Sequence, residues 1–330
     1  MSGHCAAVPV GSASALAATL GDKCRFLSGG INPLHTIAPD FFDVSAMTVG
    51  PNSVLSARGK IAPIQYSGEP LKCVPGAISL RVSHVNVPND ESCLVAVTDS
   101  VPEFRRPTAM HVFDHDGGLV HRLDLIEGDD ELILAAATAG HPIWRGNVQR
   151  FEADNLGARR PDNVIALMPQ LAGGKNWKLM PFKDHLDHVI GDGGHQRFKR
   201  LMTLGSRETL RIDHRVLPKL LDFLSLHRMP FMRAFVRKSL AQIQAGPIQM
   251  IDVIDDVLMA YSKKSTSGLD LKSIKAAWLV PYATGYGKSL GLEIYDHDGA
   301  CLAIFFSEEP HVSIGRTGWS ELLLSLPSWG

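Results

Sequence analysis

The run from Asp184 to His195 holds three histidines, His185, His188 and His195, and three aspartates, Asp184, Asp187 and Asp192. Two imidazoles at i and i+3 on a helix with a third close by form a ligand set for Zn²⁺ or another divalent ion, and so for a metal-dependent hydrolase. The competing reading is a solvated polar loop, because HxxH spacing is common without metal. His214 follows Asp213 and precedes Pro218 at an expected helix start, in register with Leu210, Leu217, Leu221 and Leu224. An imidazole on such a stripe is either a core or capping histidine or an axial ligand to a buried metal centre. Arg81 alternates with Leu80 and Val82, so on a strand its guanidinium points away from theirs. There it could bind an anion through charge-assisted hydrogen bonds, or lie solvated on an open sheet face.

The other candidates read as structural. His115 and His297 sit inside Asp-His-Asp-Gly turns, His227 near a helix C-terminus, and Cys73 and Cys301 on or beside strands as small buried hydrophobes. His111 and His121 flank the first of these turns on strands whose inner face alternation alone does not fix. No dinucleotide fingerprint, P-loop, nucleophile elbow or HExxH is present.

Positioning such residues takes a scaffold, and 330 residues suffice for about two domains. Hydrophobic residues make up 45% and charged residues 20%, an ordinary globular balance that excludes collagen, coiled coil and extensive disorder. With 33 Lys plus Arg against 34 Asp plus Glu there is no net field to attract nucleic acid or anionic lipid, and the few aromatics are not interleaved with basic residues. No apolar run is long enough for a membrane span, and the N-terminus lacks a basic region before its weakly apolar stretch, so no signal peptide is expected. Five scattered cysteines without a CxxC pair fit a reducing, cytoplasmic compartment.

The chain repeats itself. His111 to Leu125 recurs as Glu293 to Ser307, with Asp114-His115-Asp116-Gly117 falling on Asp296-His297-Asp298-Gly299. Each copy reads as a β-hairpin around an Asp-Gly turn, preceded by a strand (Ser92 to Thr98; Ala276 to Tyr282) and followed by a short helix. The expected fold is therefore α+β, with two pseudo-repeats, each a large antiparallel meander with packed helices: residues 1–140, a long connector at 141–205 with room for one short helix or strand, and 206–330. From Asp213 onward the apolar spacing is helical through Leu217–Leu224, Phe231–Leu240 and Ile248–Tyr261, which predicts two or three helices before the second sheet.

The segments Pro75–Val82, Ala109–Leu125, Ala276–Phe306 and Trp319–Pro327 carry a resemblance to the HemS/ChuX-like family of haem-utilisation proteins, whose two-repeat members are called hemin-degrading factors. The resemblance implies a haem held between the two repeats, by a proximal histidine from the start of the second half and a distal arginine from the first. The arginine carries over to Arg81, as haem-binding and catalytic residue. Counting back from His227-Arg-Met-Pro-Phe, Pro218 takes the histidine's place, and His214, four residues earlier, is the candidate axial ligand to the haem iron. His185, His188 and His195 are the alternative ligands. The helical spacing at 247–263 departs from the family's strands, so the second half reads as divergent. The implied function is intracellular haem binding, with oxidative degradation that releases iron if an external electron donor is supplied; a haem importer or a reductase would be the partner. The alternatives are a non-catalytic haem carrier or buffer, the metal-dependent hydrolase, and a scaffold that has lost haem.

Overall fold

In a computed structural model the described residues are 11–62, 73, 76–83, 93–102, 106–149, 179–204, 209–284, 287–307 and 313–329. The first half supplies β1 (Cys24–Leu27), β2 (Val44–Val49), β3 (Ser53–Gly59), β4 (Ser79–Val82), β5 (Cys93–Thr98), β6 (Ala109–Asp114) and β7 (Leu119–Leu125). The second half supplies β8 (Leu210–Ile212), β9 (Phe231–Arg237), β10 (Leu240–Gly246), β11 (Met250–Ile254), β12 (Val257–Tyr261), β13 (Ser265–Asp270), β14 (Ile274–Thr284), β15 (Gly287–Asp296) and β16 (Cys301–Ser307). The helices are α1 (Ala13–Leu20), α2 (Asn32–Ile37), α3 (Gly128–Ala139), α4 (Phe182–Asp192), α5 (His195–Leu204), α6 (Leu217–Leu226) and α7 (Ser313–Leu324).

The strands form two antiparallel sheets, one of nine in the order β1-β5-β6-β7-β2-β3-β13-β12-β11 and one of seven in the order β4-β10-β9-β16-β15-β14-β8. The sheets do not coincide with the sequence halves. β4 leaves the first half to pair with β10, with Arg81 opposite Ala241, while β13 of the second half pairs with β3, with Ser267 opposite Leu55. Each half therefore completes the other's sheet.

The repeat holds at the level of single hydrogen bonds. In the β6–β7 turn the Asp114 carboxylate accepts from the amides of Asp116 (3.0 Å) and Gly118 (2.9 Å); in the β15–β16 turn Asp296 accepts from Asp298 (3.0 Å) and Ala300 (2.8 Å). Gly117 and Gly299 take φ of 75° and 85°, a region that glycine enters without steric cost. Both hairpins also slip register at one place, between Val112 and Phe113 and between Ile294 and Tyr295. The tryptophan helix is present as α7, where Trp319 stacks on Phe231 and donates to the Leu290 carbonyl at 2.7 Å.

Three expectations are corrected. Residues 231–246 and 250–261 form the hairpins β9–β10 and β11–β12, so α6 is the one α-helix in that stretch. Every residue of β9 is buried, because one face of its sheet is covered by α4 and α5 and the other by the nine-stranded sheet, α6 and α7. A strand buried on both faces loses the alternation that marks it in sequence. The β11–β12 turn is made by Asp255 and Asp256, at φ 49° and 66°, without the glycine that usually marks such a turn. The departure at 247–263 thus disappears, since these residues are strands. The connector carries two helices, α4 and α5; its residues 150–178 lie outside the described ones.

The sheets face each other across cores shared by both. Arg237 of β9 ties them together, its Nε donating to the Val49 carbonyl (2.7 Å) and its Nη2 to the Ser53 carbonyl (2.9 Å) and hydroxyl (2.8 Å). A Cβ at Gly50 would lie 1.6 Å from that guanidinium, so this position excludes any side chain while the tie stands. Gly50→Ala is expected to destabilise the fold by about 1–3 kcal/mol through overpacking, measured as a lower midpoint in urea. Unchanged stability would show that Arg237 does not hold the sheets together.

Candidate functional site

The outer face of the seven-stranded sheet carries most of the buried ionic chemistry. Glu293 of β15 is fully buried, and its carboxylate receives three donors: Arg197 Nε of α5 (2.8 and 2.9 Å), the Tyr295 hydroxyl (2.5 Å) and His185 Nε2 of α4. Arg197 Nη2 lies 2.9 Å from His185 Nδ1. An arginine only donates, so His185 is neutral, accepting at Nδ1 and carrying its proton on Nε2 toward Glu293. Burial, then the charge of Arg197, push the His185 pKa down to about 4. For Glu293, burial alone would raise the pKa; the charge of Arg197, with the hydrogen bonds from His185 and Arg197, overcomes it and holds the carboxyl well below the usual range.

Arg81 projects from β4 on this same face, beside Ala241 and Ile243, while Leu80 and Val82 point into the core between the sheets. Its guanidinium is fully buried and grips Asp187 of α4 through Nε (2.7 Å) and Nη2 (2.6 Å). The open, solvated sheet face is therefore not found: α4 covers Arg81. The helix is pinned on two flanks, through His185 to Glu293 and through Asp187 to Arg81. Between them Leu186, Val189 and Ile190 pack on the sheet.

His188 is half-buried, and its Nδ1 lies 2.6 Å from the Asp184 carbonyl, so Nδ1–H donates and Nε2 keeps its lone pair. His195, exposed at the start of α5, makes the same bond to the Asp192 carbonyl at 2.7 Å. The three histidines do not converge on one point. His185 spends both nitrogens on Arg197 and Glu293, and among the described residues the cluster close enough to share a metal ion is Asp114-His115-Asp116 instead. That trio is a hairpin turn with Asp114 capping two amides and the Lys238 ammonium 3.3 Å from His115, a neighbour that repels cations. His185, His188 and His195 are thus not drawn together into one shared ligand set.

His214 lies in a 3-10 turn, His214–Val216, between β8 and α6. Asp213 caps this turn by accepting from the Arg215 amide at 3.0 Å. The His214 ring stacks on Trp329 at 5.8 Å, with Arg211 over the other part of that indole, and its Nδ1 has no hydrogen-bond partner among the described residues. β8 and β4 are the opposite edges of the seven-stranded sheet. Six strand spacings put them roughly 29 Å apart, and α6, which His214 precedes, packs on the face opposite to Arg81. His214 and Arg81 therefore lie at opposite edges and on opposite faces of this sheet.

Arg197, Glu293 and Tyr295 were not singled out from sequence, and Asp187 was named only within the connector run, not as a partner of Arg81. Glu293 had a readable signal, a lone carboxylate between Leu292 and Ile294 in an apolar strand; Asp187 and Arg197 looked like ordinary helix-surface charges.

A two-repeat α+β protein with exchanged strands and helices over one sheet face is the class that these observations define. Residues 195–326 match the family model described as the haemin-degrading HemS.ChuX domain. Among solved structures the chain is similar to holo-PhuS, a heme-binding protein from Pseudomonas aeruginosa, at 18% identity, with 96% of this chain and 90% of that one covered and a TM-score of 0.67. It is also similar to ChuS, described as an E. coli heme oxygenase, at 15% identity, with 95% and 91% covered and a TM-score of 0.64. No curated protein sequence matches. The chain thus has the two-repeat HemS/ChuX-like fold, with a HemS.ChuX domain match over residues 195–326.

The buried imidazoles make stability sensitive to acid. His185 (about 4), His111 and His121 (each about 3) have folded values below the ordinary 6.5, lowered first by burial. Unfolding therefore takes up protons, so stability is fully present above pH 6.5 and is lost as pH falls toward 4 and then 3; the depressed Glu293 acts in the same direction below its ordinary 4.5. Each fully titrating group contributes about 1.4 kcal/mol per pH unit in that window. Urea unfolding at pH 7.5, 6.0 and 5.0 should give a steep fall, and His121→Gln should lessen its slope by one proton. A flat profile would contradict the neutral, buried assignment.

Proposed function

We propose that the protein binds haem and serves haem-iron utilisation, with His188 of α4 as axial ligand and Arg81 as the cationic group that meets a propionate or a polar ligand on the iron. The observation that carries this reading is that consecutive residues of α4 serve both groups: Asp187 holds Arg81, and His188 presents an imidazole. The residues suit the ligand. Haem iron takes a neutral imidazole whose second nitrogen is fixed by a hydrogen bond, and the Asp184 carbonyl fixes that of His188. His185 suits the role less because both its nitrogens are committed, and His214 has no acceptor at Nδ1 among the described residues.

The solved relative described as heme-binding and the one described as a heme oxygenase support haem as ligand and degradation as the possible reaction of this chain. When bound, haem supplies the iron for oxygen chemistry, and the chain binds and orients it, fixes the proton on His188 Nδ1 and places the Arg81 charge. Oxidation of the macrocycle consumes O₂ and electrons from outside, so turnover needs an external reductase, and loading would come from a haem importer. Free thiols at Cys24 and Cys301 support a reducing, cytoplasmic setting.

Hemin titration of the full chain should give a saturable, one-to-one Soret change. His188→Ala should weaken binding at least tenfold and shift the Soret band, Arg81→Met should weaken it less, and His214→Ala should leave it unchanged. Loss of the spectrum with His214→Ala alone would overturn the assignment of His188. Incubating the complex with reductant and O₂ in the presence of a ferrous-iron chelator distinguishes the enzyme, which releases iron, from a carrier, which keeps its Soret band.

A further inference from the structure

Four arginines are buried in or against the seven-stranded sheet, and three are neutralised or caged. Arg81 holds Asp187, Arg197 holds Glu293, and Arg237 is surrounded by the oxygens of Val49, Ser53 and Val236. Arg233 is different. It points from β9 into the space between the sheets, with Phe231 and Phe235 on the same face of the strand, and is 1% exposed. Nη2 donates to the hydroxyls of Ser262 (2.8 Å) and Ser265 (3.1 Å), both neutral, while Nε and Nη1 have no acceptor among the described residues. The Phe231 ring lies 5.7 Å from the guanidinium carbon and offers only a weak cation–π contact.

A guanidinium stays charged even when desolvation disfavours it, and a buried ion without a counter-ion costs several kcal/mol. Burial pushes the Arg233 pKa down to about 10, still far above neutral pH. A water molecule could occupy a free N–H but would leave the charge unbalanced. We propose that Arg233, with Ser262 and Ser265, forms a binding site for a small monovalent anion of halide size between the two sheets.

The surroundings fit that class of ligand. One net positive charge calls for one negative charge, and the enclosure of the guanidinium, 1% exposed, restricts the ligand to a group of atomic size. Nε–H and Nη1–H lie on different edges of the guanidinium plane, so the anion takes one edge. Ser262 gives its proton to the Pro247 carbonyl at 3.1 Å, whereas the Ser265 hydroxyl donates to no described protein group and is available as a second donor. The turn that carries both serines bears Lys263 and Lys264 in solvent, which draws anions toward the site. This site is separate from the α4 face and does not rest on haem binding.

Thermal unfolding of the full chain tests the site when sodium gluconate is replaced by sodium bromide at constant ionic strength. The melting temperature is expected to rise saturably with bromide, the folding equilibrium shifting about a hundredfold at a hundredfold excess over Kd. Arg233→Met, which removes the charge and keeps an apolar stem, should abolish the dependence. A bromide-independent melting temperature, or the same rise in Arg233→Met, overturns the proposal. Should Arg233→Met fail to fold, crystals of the wild-type chain grown in bromide decide the matter: an anomalous peak against Arg233 supports the site, and its absence rejects it.

Discussion

The burial of Glu293 constrains the architecture of the candidate site more than any other single interaction. A carboxylate in the middle of an apolar strand is tolerable only if cations and donors surround it, and three come from three places: Arg197 from α5, His185 from α4 and Tyr295 from its own strand. Replacing such a cluster with apolar residues can leave a protein equally stable, so its value here lies in specificity more than in net free energy. It fixes which faces of α4 and α5 meet the sheet. Rotating α4 by one residue would withdraw His185, leave Glu293 short of a donor and move Asp187 away from Arg81. The geometry of the candidate ligand-binding face therefore follows from the solvation needs of one buried charge.

The strand exchange has a related physical logic. Had each half kept its own strands, the two sheets would meet only through side chains. With β4 paired to β10 and β13 paired to β3, backbone hydrogen bonds cross between the halves, and the halves cannot separate without breaking a ladder in each sheet. Polar side chains between the sheets reinforce this arrangement: Thr48 donates to Gln242 at 2.8 Å and meets His121 Nδ1 at 2.8 Å. The duplicated hairpins, with their matching Asp caps, are the visible remains of two similar units, while the exchanged strands make them one body.

How much could be read beforehand depended on whether the physical signal was local. The Asp-Gly turns were legible because the aspartate carboxylate and the positive-φ glycine act within five residues. The helix before Phe231 was legible because α6 has one apolar face and Pro218 in its first turn. β9 was not, since burial on both faces removed its alternation and left Phe231, Ala234 and Phe235 at a spacing that imitates a helix. Arg81 stood out in its apolar strand, but its partner was invisible: Asp187 lies 106 positions away in sequence, and nothing local distinguishes it from a solvated aspartate. His214 and the connector histidines looked equally suitable because sequence shows imidazoles but not what each nitrogen touches.

In the proposed haem complex, Arg81 would serve its ligand although it is bound to Asp187. A guanidinium held by a carboxylate is not withdrawn from use if the incoming group is itself a carboxylate. The exchange replaces one fork of two charge-assisted hydrogen bonds with another of the same kind, so the Arg81 side of the balance changes little. The cost falls on Asp187, which must then be solvated, and its side chain is already 15% exposed, whereas that of Arg81 has no exposure at all. An arginine kept buried, oriented and paired with a displaceable aspartate at the edge of solvent is thus better prepared for a propionate than one free in water, because its desolvation and ordering are completed during folding.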